Sequence, residues 1–368
     1  MAKLVFTEEE TMLADAARGV LDGASPVSAF RALRDAGKPF EPAIWQEMAQ
    51  MGWTGVLIPE EAGGSDMGHG AAAVLSRELG KTLVSSPFIS TAVMAATALR
   101  RAGATASLQR IAAGEAIYAL ALDETRKFDP TRIETTATRD GNGFRLSGNK
   151  TFVVDGGSAD RLLVLARTDG GVTLFDIPAD RAGIARDAQD MVDARDAARI
   201  MLTDVEATGD DVLGQVDHGM DILRPALEAG QAALAAELAG LTAGAFDLTV
   251  GYLKERKQFG VTIGSFQALQ HRAAHLWCET EVTASAILNA ARRLDEDPDN
   301  ATLAVSLAKA RATATAKLAV IEGVQMHGGI GMTDAFDMGF YMKRARVGAE
   351  WLGDYGYHAA TVARHRGF

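Results

Sequence analysis

The residues best suited to chemistry fall in two short strings. The first, KERKQFGVTIGSFQALQHRAAHL at residues 254–276, ends a helical pattern near residues 256–259, turns through Gly260 and Gly264, and restarts near Ser265. Arg256 offers a planar fork that matches phosphate oxygens, and Gln258 and Gln267 offer amide hydrogen bonds. The rings of Phe259 and Phe266 can stack on a flat ligand. An arginine at a helix end most often only solvates that end, so the string carries weight as a whole rather than residue by residue. The second string, QMHGGIGMTDAFDMGFYMKRAR at residues 325–346, places Gln325 ahead of Gly328, Gly329 and Gly331. Glycines let a backbone approach a ligand closely and present bare N–H groups, as a phosphate cradle needs. The strand that a Rossmann fingerprint requires before such a cluster is missing. On spacing alone, a tight turn between two helices accounts for the glycines equally well.

Other constellations say less. His271 and His275 stand four apart on one helical face, as zinc ligands can, without a third ligand at motif spacing, so no metal is expected. No G-x-S-x-G element occurs, and Cys278 lies in a helical pattern between Trp277 and Glu279, a poor setting for a nucleophile. Lys343–Arg346 is a small basic patch that suits either a phosphate or surface ion pairs.

The elements that must position these strings follow from composition. A chain of 368 residues and 38.8 kDa exceeds one simple core and suggests two or three domains. Its 48% hydrophobic and 23% charged residues are those of an ordinary soluble protein. A net charge of −11 repels phosphate backbones and argues against nucleic acid as a partner. The single cysteine excludes an internal disulfide and fits a reducing compartment. The first residues lack a signal-peptide apolar core, and no apolar run is read as approaching the roughly 20 residues of a membrane span, so a cytoplasmic protein with no membrane partner is expected.

Three regions follow in order. Residues 1–116 are Ala-, Leu- and Met-rich with helical spacing, and Thr7 ahead of Glu8, Glu9 and Glu10 is a capped helix start. Residues 117–215 change to short β-branched runs such as AIYALALDE, KTFVVDG and GVTLFDIP, with a hairpin signal at DGNG, residues 140–143. Residues 216–368 return to helices near 30 residues long, at about 223–254, 265–293, 300–327 and 338–363, which pack best as a four-helix bundle and often form an oligomer interface. The fold class is therefore mostly α with a β middle domain.

The helical–β–helical layout, RKQFGVTIGSFQALQHR and QMHGGIGMTDAF together resemble the acyl-CoA dehydrogenase family of flavoproteins over essentially the whole chain, IPEEAGG included. The resemblance implies an N-terminal helical domain, a central β-barrel-like domain and a C-terminal four-helix bundle. It also implies FAD, an acyl-CoA substrate oxidised to 2-enoyl-CoA, and an electron-transfer flavoprotein as acceptor. Carried over residue by residue, it gives Arg256, Gln258 and Phe259 to the FAD diphosphate, Phe266 and Gln267 to the adenine end, and Gln325, Gly328 and Gly329 to the second FAD segment. In the family these elements reach across a subunit interface.

The chain departs from the family in three places. Asp123, in ALDETRKFDPTRIETTA, stands where a flavin-contacting threonine is expected, and the AGSD portion is absent. KTFVVDGG puts Phe152 and Val154 where a tryptophan and a hydroxyl residue normally face the flavin. The two positions at which the family keeps its catalytic glutamate hold Leu352 and Gly230. Glu228, Glu237, Glu350 and Asp354 are near in sequence, but two residues along a helix turn a side chain about 200° away. Glu237 and Glu350 are the residual candidates for the base, which is otherwise unassigned.

Intact cross-subunit FAD contacts beside an incomplete site resemble the small subunit of heteromeric acyl-CoA dehydrogenases, of the pimeloyl-CoA or steroid side-chain type. That resemblance implies a second dehydrogenase subunit supplying the base, in a heterotetramer, with a role in lipid or steroid catabolism. Two other readings stand beside it: a homomeric dehydrogenase with a displaced carboxylate, and a non-catalytic scaffold or regulatory subunit.

Overall fold

The structure is a computed structural model that describes residues 4–368. It opens with helices α1 (Glu8–Ala24), α2 (Val27–Asp35), α3 (Pro42–Gln50), α4 (Gly68–Lys81), α5 (Ala96–Ala102) and α6 (Thr105–Ala112). Seven strands follow: β1 (Tyr118–Ala121), β2 (Thr136–Asp140), β3 (Gly143–Val154), β4 (Arg161–Arg167), β5 (Val172–Pro178), β6 (Ile184–Ala188) and β7 (Ala197–Ala207). The remainder is α7 (Gly219–Glu255), a short hairpin of β8 (Lys257–Gln258) and β9 (Val261–Thr262), then α8 (Gln267–Glu296), α9 (Thr302–His327), α10 (Met338–Glu350) and α11 (Tyr355–His365). By contacts the chain forms two compact units, Met1–Ala32 with His69–Val84 and Gln231–Phe368, and Leu33–Gly68 with Ser85–Gly230.

The first unit is helical. Thr7 caps α1 in a reciprocal box with Glu10. Burial works to raise the Glu10 carboxyl, but Arg292 of α8 and the Thr7 N–H overcome it, and its pKa ends below the ordinary value. Arg292 grips both oxygens of Glu10 at 2.5 Å. Glycines let α4 and α7 touch backbone to backbone: a Cβ on Gly80 would strike the main chain of Glu237, and one on Gly240 the main chain of Arg77. The expectation that no apolar run approaches the length of a membrane span does not hold for α7. By length and composition Gly219–Glu255 could cross a membrane, but most of its apolar stretch is buried inside the protein, as in a core helix.

The last expected helix is broken in two. Residues 351–354, WLGD, interrupt the pattern because Leu352 and Gly353 take φ of 58° and 103° and the side chain of Asp354 caps α11 by accepting the Tyr357 N–H at 2.8 Å. Helical periodicity continues across this gap, which is why spacing alone does not show it.

The second unit is built on one sheet with strands in the order β1-β4-β2-β3-β7-β6, and β5 pairs with β4. DGNG forms the expected turn, with Asp140 opposite Gly143 and Gly141 at φ 57°. Phe144, Leu146, Leu162, Val164, Phe175 and Ile200 form its core. Beneath the sheet Lys150 is fully buried and meets Glu124 at 2.6 Å and the carbonyls of Leu165 (2.6 Å) and Leu122 (3.3 Å). The register of β3 against β7 shifts between Lys150 and Val153. That bulge turns Phe152 outward at φ 51° and 40% exposure.

Candidate functional site

The first sequence string folds into one sharp corner. α7 ends at Glu255, and β8 and β9 pair at once with Gln258 opposite Val261. The two turn residues, Phe259 and Gly260, have φ of 56° and 80°. A two-residue hairpin favours positive φ at both positions, which glycine adopts freely and phenylalanine only under strain. Phe259 is nonetheless 90% exposed, its ring edge-on to Phe266 at 6.3 Å. A large ring held out in water on a strained turn adds nothing to this chain's own core. Arg256, Gln258, Phe266 and Gln267 are exposed at the same reversal, and the Arg256 guanidinium has no carboxylate partner among the described residues. The structure thus brings these five residues together, as one cluster of a cation, amides and aromatic edges.

The second string forms another corner, at the end of α9. Gly328, at φ 66°, ends the helix with its N–H returned to the carbonyls of Val324 and Gln325. Gly331 is tightly packed, since a Cβ there would meet His327 and Val324 at 3.0–3.2 Å. Gly329 is different. Its φ is ordinary and a Cβ would meet nothing within 4 Å, so no contact in this chain demands glycine there. Gln325 presents its amide to solvent beside it. His327 is structural: its ring lies between Tyr252 (4.6 Å) and Phe336 (4.7 Å), Nδ1 is 2.6 Å from the Gly323 carbonyl, and burial depresses its pKa.

Neither base slot holds a carboxylate in the folded protein. Leu352 is 3% exposed on the α10–α11 turn, and Gly230 is buried within α7. The neighbouring carboxylates are engaged elsewhere. Glu350 pairs with Arg346 at 2.8 Å, Asp354 caps α11, and Glu237 lies 3.7 Å from Arg344, both of them buried. Glu228 is also buried on α7. A pocket of about 380 Å³ lies beside the turn, lined by Lys317, Val320, Met342, Arg346, Glu350 and Tyr355 among others. Sequence reasoning missed three side chains that converge on this turn, Gln231, Lys309 and His358. A lysine set among apolar residues in AVSLAKARATATA was the available signal for one of them.

Comparison with known proteins decides the family. Family models match in sequence over the whole chain: the acyl-CoA dehydrogenase N-terminal domain over residues 7–115, the middle domain over 119–205 and the C-terminal domain over 217–366. The acyl-CoA dehydrogenase IpdE2 of Mycobacterium tuberculosis is 31% identical, over 94% of this chain and 93% of that protein. The chain belongs to the acyl-CoA dehydrogenase family. A solved ChsE4-ChsE5 complex from Mycobacterium tuberculosis contains a chain 25% identical with a TM-score of 0.91, covering 99% of this chain and 98% of its own. The Tcur3481-Tcur3483 steroid ACAD is 30% identical with a TM-score of 0.89, covering 97% of both chains. The order of elements is the family's, with a helical N-terminal domain, a β middle domain and a helical C-terminal domain.

Family membership makes this an FAD-dependent flavoprotein related to oxidoreductases that act on acyl-CoA. The residues present suit such a group. Among the described residues Arg256 has no ion-pair partner, and a Cβ on Gly329 would meet nothing within 4 Å; in the β unit, taken by itself, the Oδ1 of Asp123 is a buried oxygen without a hydrogen-bond partner among them. Burial raises the Asp123 carboxyl to about 6, with the charge of Lys150 working the other way. Its carbonyl accepts the Thr151 N–H at 2.7 Å, which ties Asp123 to the strand that bears Phe152. Phe152 and Val154, apolar where the resemblance expects an indole and a hydroxyl, follow Thr151 on that same strand. Among the described residues no cluster of His, Cys, Asp or Glu could hold a metal.

Proposed function

We propose that this chain is the base-deficient subunit of a heteromeric acyl-CoA dehydrogenase that converts an acyl-CoA to its 2-enoyl-CoA. The observation that carries the reading is the α10–α11 turn: a buried leucine fills the base slot and the nearest carboxylates are tied to Arg346 or to the α11 cap. Removing an α-proton needs a carboxylate against the substrate, which a partner subunit would supply. Arg256, Gln258 and Phe259 would hold the FAD diphosphate, Phe266 and Gln267 its adenine end, and Gln325, Gly328 and Gly329 its second segment, as part of an oligomer. Bound FAD supplies the acceptor for the β-hydride. The chain's own residues anchor the dinucleotide, exclude water and shape the acyl pocket. Likeness to a steroid ACAD and to a two-component complex supports a bulky acyl group and a heterotetramer in lipid or steroid catabolism. Electrons would pass to an electron-transfer flavoprotein. A cytoplasmic setting is inferred from the lone, exposed Cys278.

The deciding measurement is FAD per chain, for the protein alone and with a co-expressed partner. Partner-dependent flavin and turnover support the reading, whereas one FAD per isolated chain with full activity would overturn it. Arg256→Ala removes a charge-assisted contact of about 1.5–3 kcal/mol, so FAD should dissociate roughly tenfold to a hundredfold more readily. Unchanged flavin retention would remove Arg256 from the site. A homomeric enzyme using Glu237 has one observation in its favour: Glu237 lies two turns beyond Gly230, on the same face of α7. In that case the isolated chain would be yellow and active, and Glu237→Gln would abolish turnover.

A further inference from the structure

The turn Trp351–Asp354 is held by more buried polar chemistry than a helix end requires. From α9, Lys309 is 0% exposed and sends its ammonium to the carbonyl of Gly348 (2.9 Å), the carbonyl of Gly353 (3.1 Å) and the hydroxyl of Thr313 (3.3 Å). From α7, the Gln231 amide donates to the Leu352 carbonyl at 3.2 Å. From α11, Nε2 of His358 reaches the same carbonyl at 3.0 Å, which assigns the proton to Nε2. A lysine that merely closed α10 would need only the Gly348 carbonyl. Here one ammonium spans the helix end and the turn beyond it.

The arrangement carries a cost. Every oxygen bonded to Lys309 is neutral, and burial lowers its pKa to about 7, with Asp354 and Glu350 opposing that shift and His358 adding its own loss of basicity nearby. Leu352 is held at φ 58°. Only glycine fits at 353, where a Cβ would come within 2.7 Å of the Tyr357 ring and 2.8 Å of His358. A strained turn, over-determined by three helices at the expense of a buried charge, is expected where geometry is used. Leu352, at the base slot, is buried, while Asp354 of the turn and the flanking Glu350 and Tyr355 stand in the wall of the 380 Å³ pocket.

We propose that Lys309 is a positioning residue, fixing the Trp351–Asp354 turn so that Glu350, Asp354 and Tyr355 present the pocket wall to the acyl group in a single geometry. This rests on the acyl-CoA reading above. The test uses the FAD-loaded protein with its partner, labelled with 5-fluorotryptophan, the Trp351 resonance being assigned by Trp351→Phe among the four tryptophans. In Lys309→Met the Trp351 line should move or split. The ratio of kcat/KM between a compact and a bulky acyl-CoA should narrow about tenfold, the range a single pocket contact commands, while FAD content holds. An unmoved Trp351 line overturns the proposal, and so does a moved line with an unchanged ratio, which would make the lysine a helix clamp only. Gln231→Leu removes one of two donors to Leu352 and should give a smaller shift in the same direction, keeping the proposal testable if Lys309→Met does not fold. A wild-type complex that binds FAD yet oxidises no acyl-CoA sinks the activity reading instead, and the Trp351 line then decides the clamp alone.

Discussion

Among the described residues two lysines are wholly buried, one in each unit, and they are held in opposite ways. Lys150, under the sheet, has a carboxylate partner in Glu124 at 2.6 Å. Lys309, under the α10–α11 turn, has only carbonyls and a hydroxyl. Burial lowers both ammonium pKa values, opposed at Lys150 by the hydrogen bond and charge of Glu124. Glu124 is held below the usual carboxylate range: its own burial pushes it up, but Lys150 and the Thr135 N–H outweigh that. The β unit thus keeps a compensated ion pair that locks its 122–135 loop, whereas the helical unit keeps a bare cation as a hub for carbonyls. The first cation keeps a counter-charge within hydrogen-bond reach, and the second keeps none among its hydrogen-bond partners.

The largest effect should come from breaking the pair. Glu124→Ala leaves Lys150 buried without its counter-charge, which costs about 3–5 kcal/mol, whereas replacing both residues by apolar ones of similar size should recover most of that loss. Calorimetry of the single and double variants checks this, and equal losses in both would mean that the pair does not set the stability of the loop. Lys309→Met is expected to cost less, about 1–3 kcal/mol, because it strands two carbonyls but also removes a costly buried charge.

The bare cation also predicts a response to alkali. Lys309 has a folded pKa near 7 against an ordinary 10.5, so between these values the unfolded chain binds more protons than the folded one. Stability from this group is therefore full above 10.5 and lost as pH falls through about 7. Thermal melts between pH 7 and 10 should show a rising contribution in the wild type that is missing from Lys309→Met. If the two proteins keep parallel melting curves over that range, Lys309 does not titrate as its surroundings imply.

Much of this was legible in the sequence, and the part that was not has a physical reason. The Thr7 cap, the DGNG turn and the Arg256–Phe259 corner are local signals, set by neighbours within a few residues, and each appears in the fold. The break at WLGD was not visible, because helical spacing runs on through it and the residues that stabilise it come from α7, α9 and α11. Glu237 and Glu350 looked equivalent as spare carboxylates, yet one faces Arg344 in the interior and the other an arginine one turn away on the surface of its own helix. Partners distant in the chain decide a carboxylate's fate, and spacing does not report them.

The smallest change sharpens the comparison furthest. His358 donates to the Leu352 carbonyl, which Gln231 also serves, so His358→Gln should cost only about 0.5–1.5 kcal/mol at neutral pH. Its pH dependence is more telling. Burial first, then the charge of Lys309, hold His358 down to about 4, with the Leu352 carbonyl and Asp354 pulling the other way. A base with a depressed folded pKa contributes stability that is complete above its ordinary 6.5 and is lost as pH falls through 4. Wild-type protein should therefore weaken progressively over that window, and His358→Gln should flatten this part of the curve. Lys309→Met should flatten it in part, since it removes the nearby cation that helps hold the imidazole neutral. A turn whose acid sensitivity is untouched by Lys309→Met would separate the histidine from the lysine and leave the hub as a set of independent hydrogen bonds.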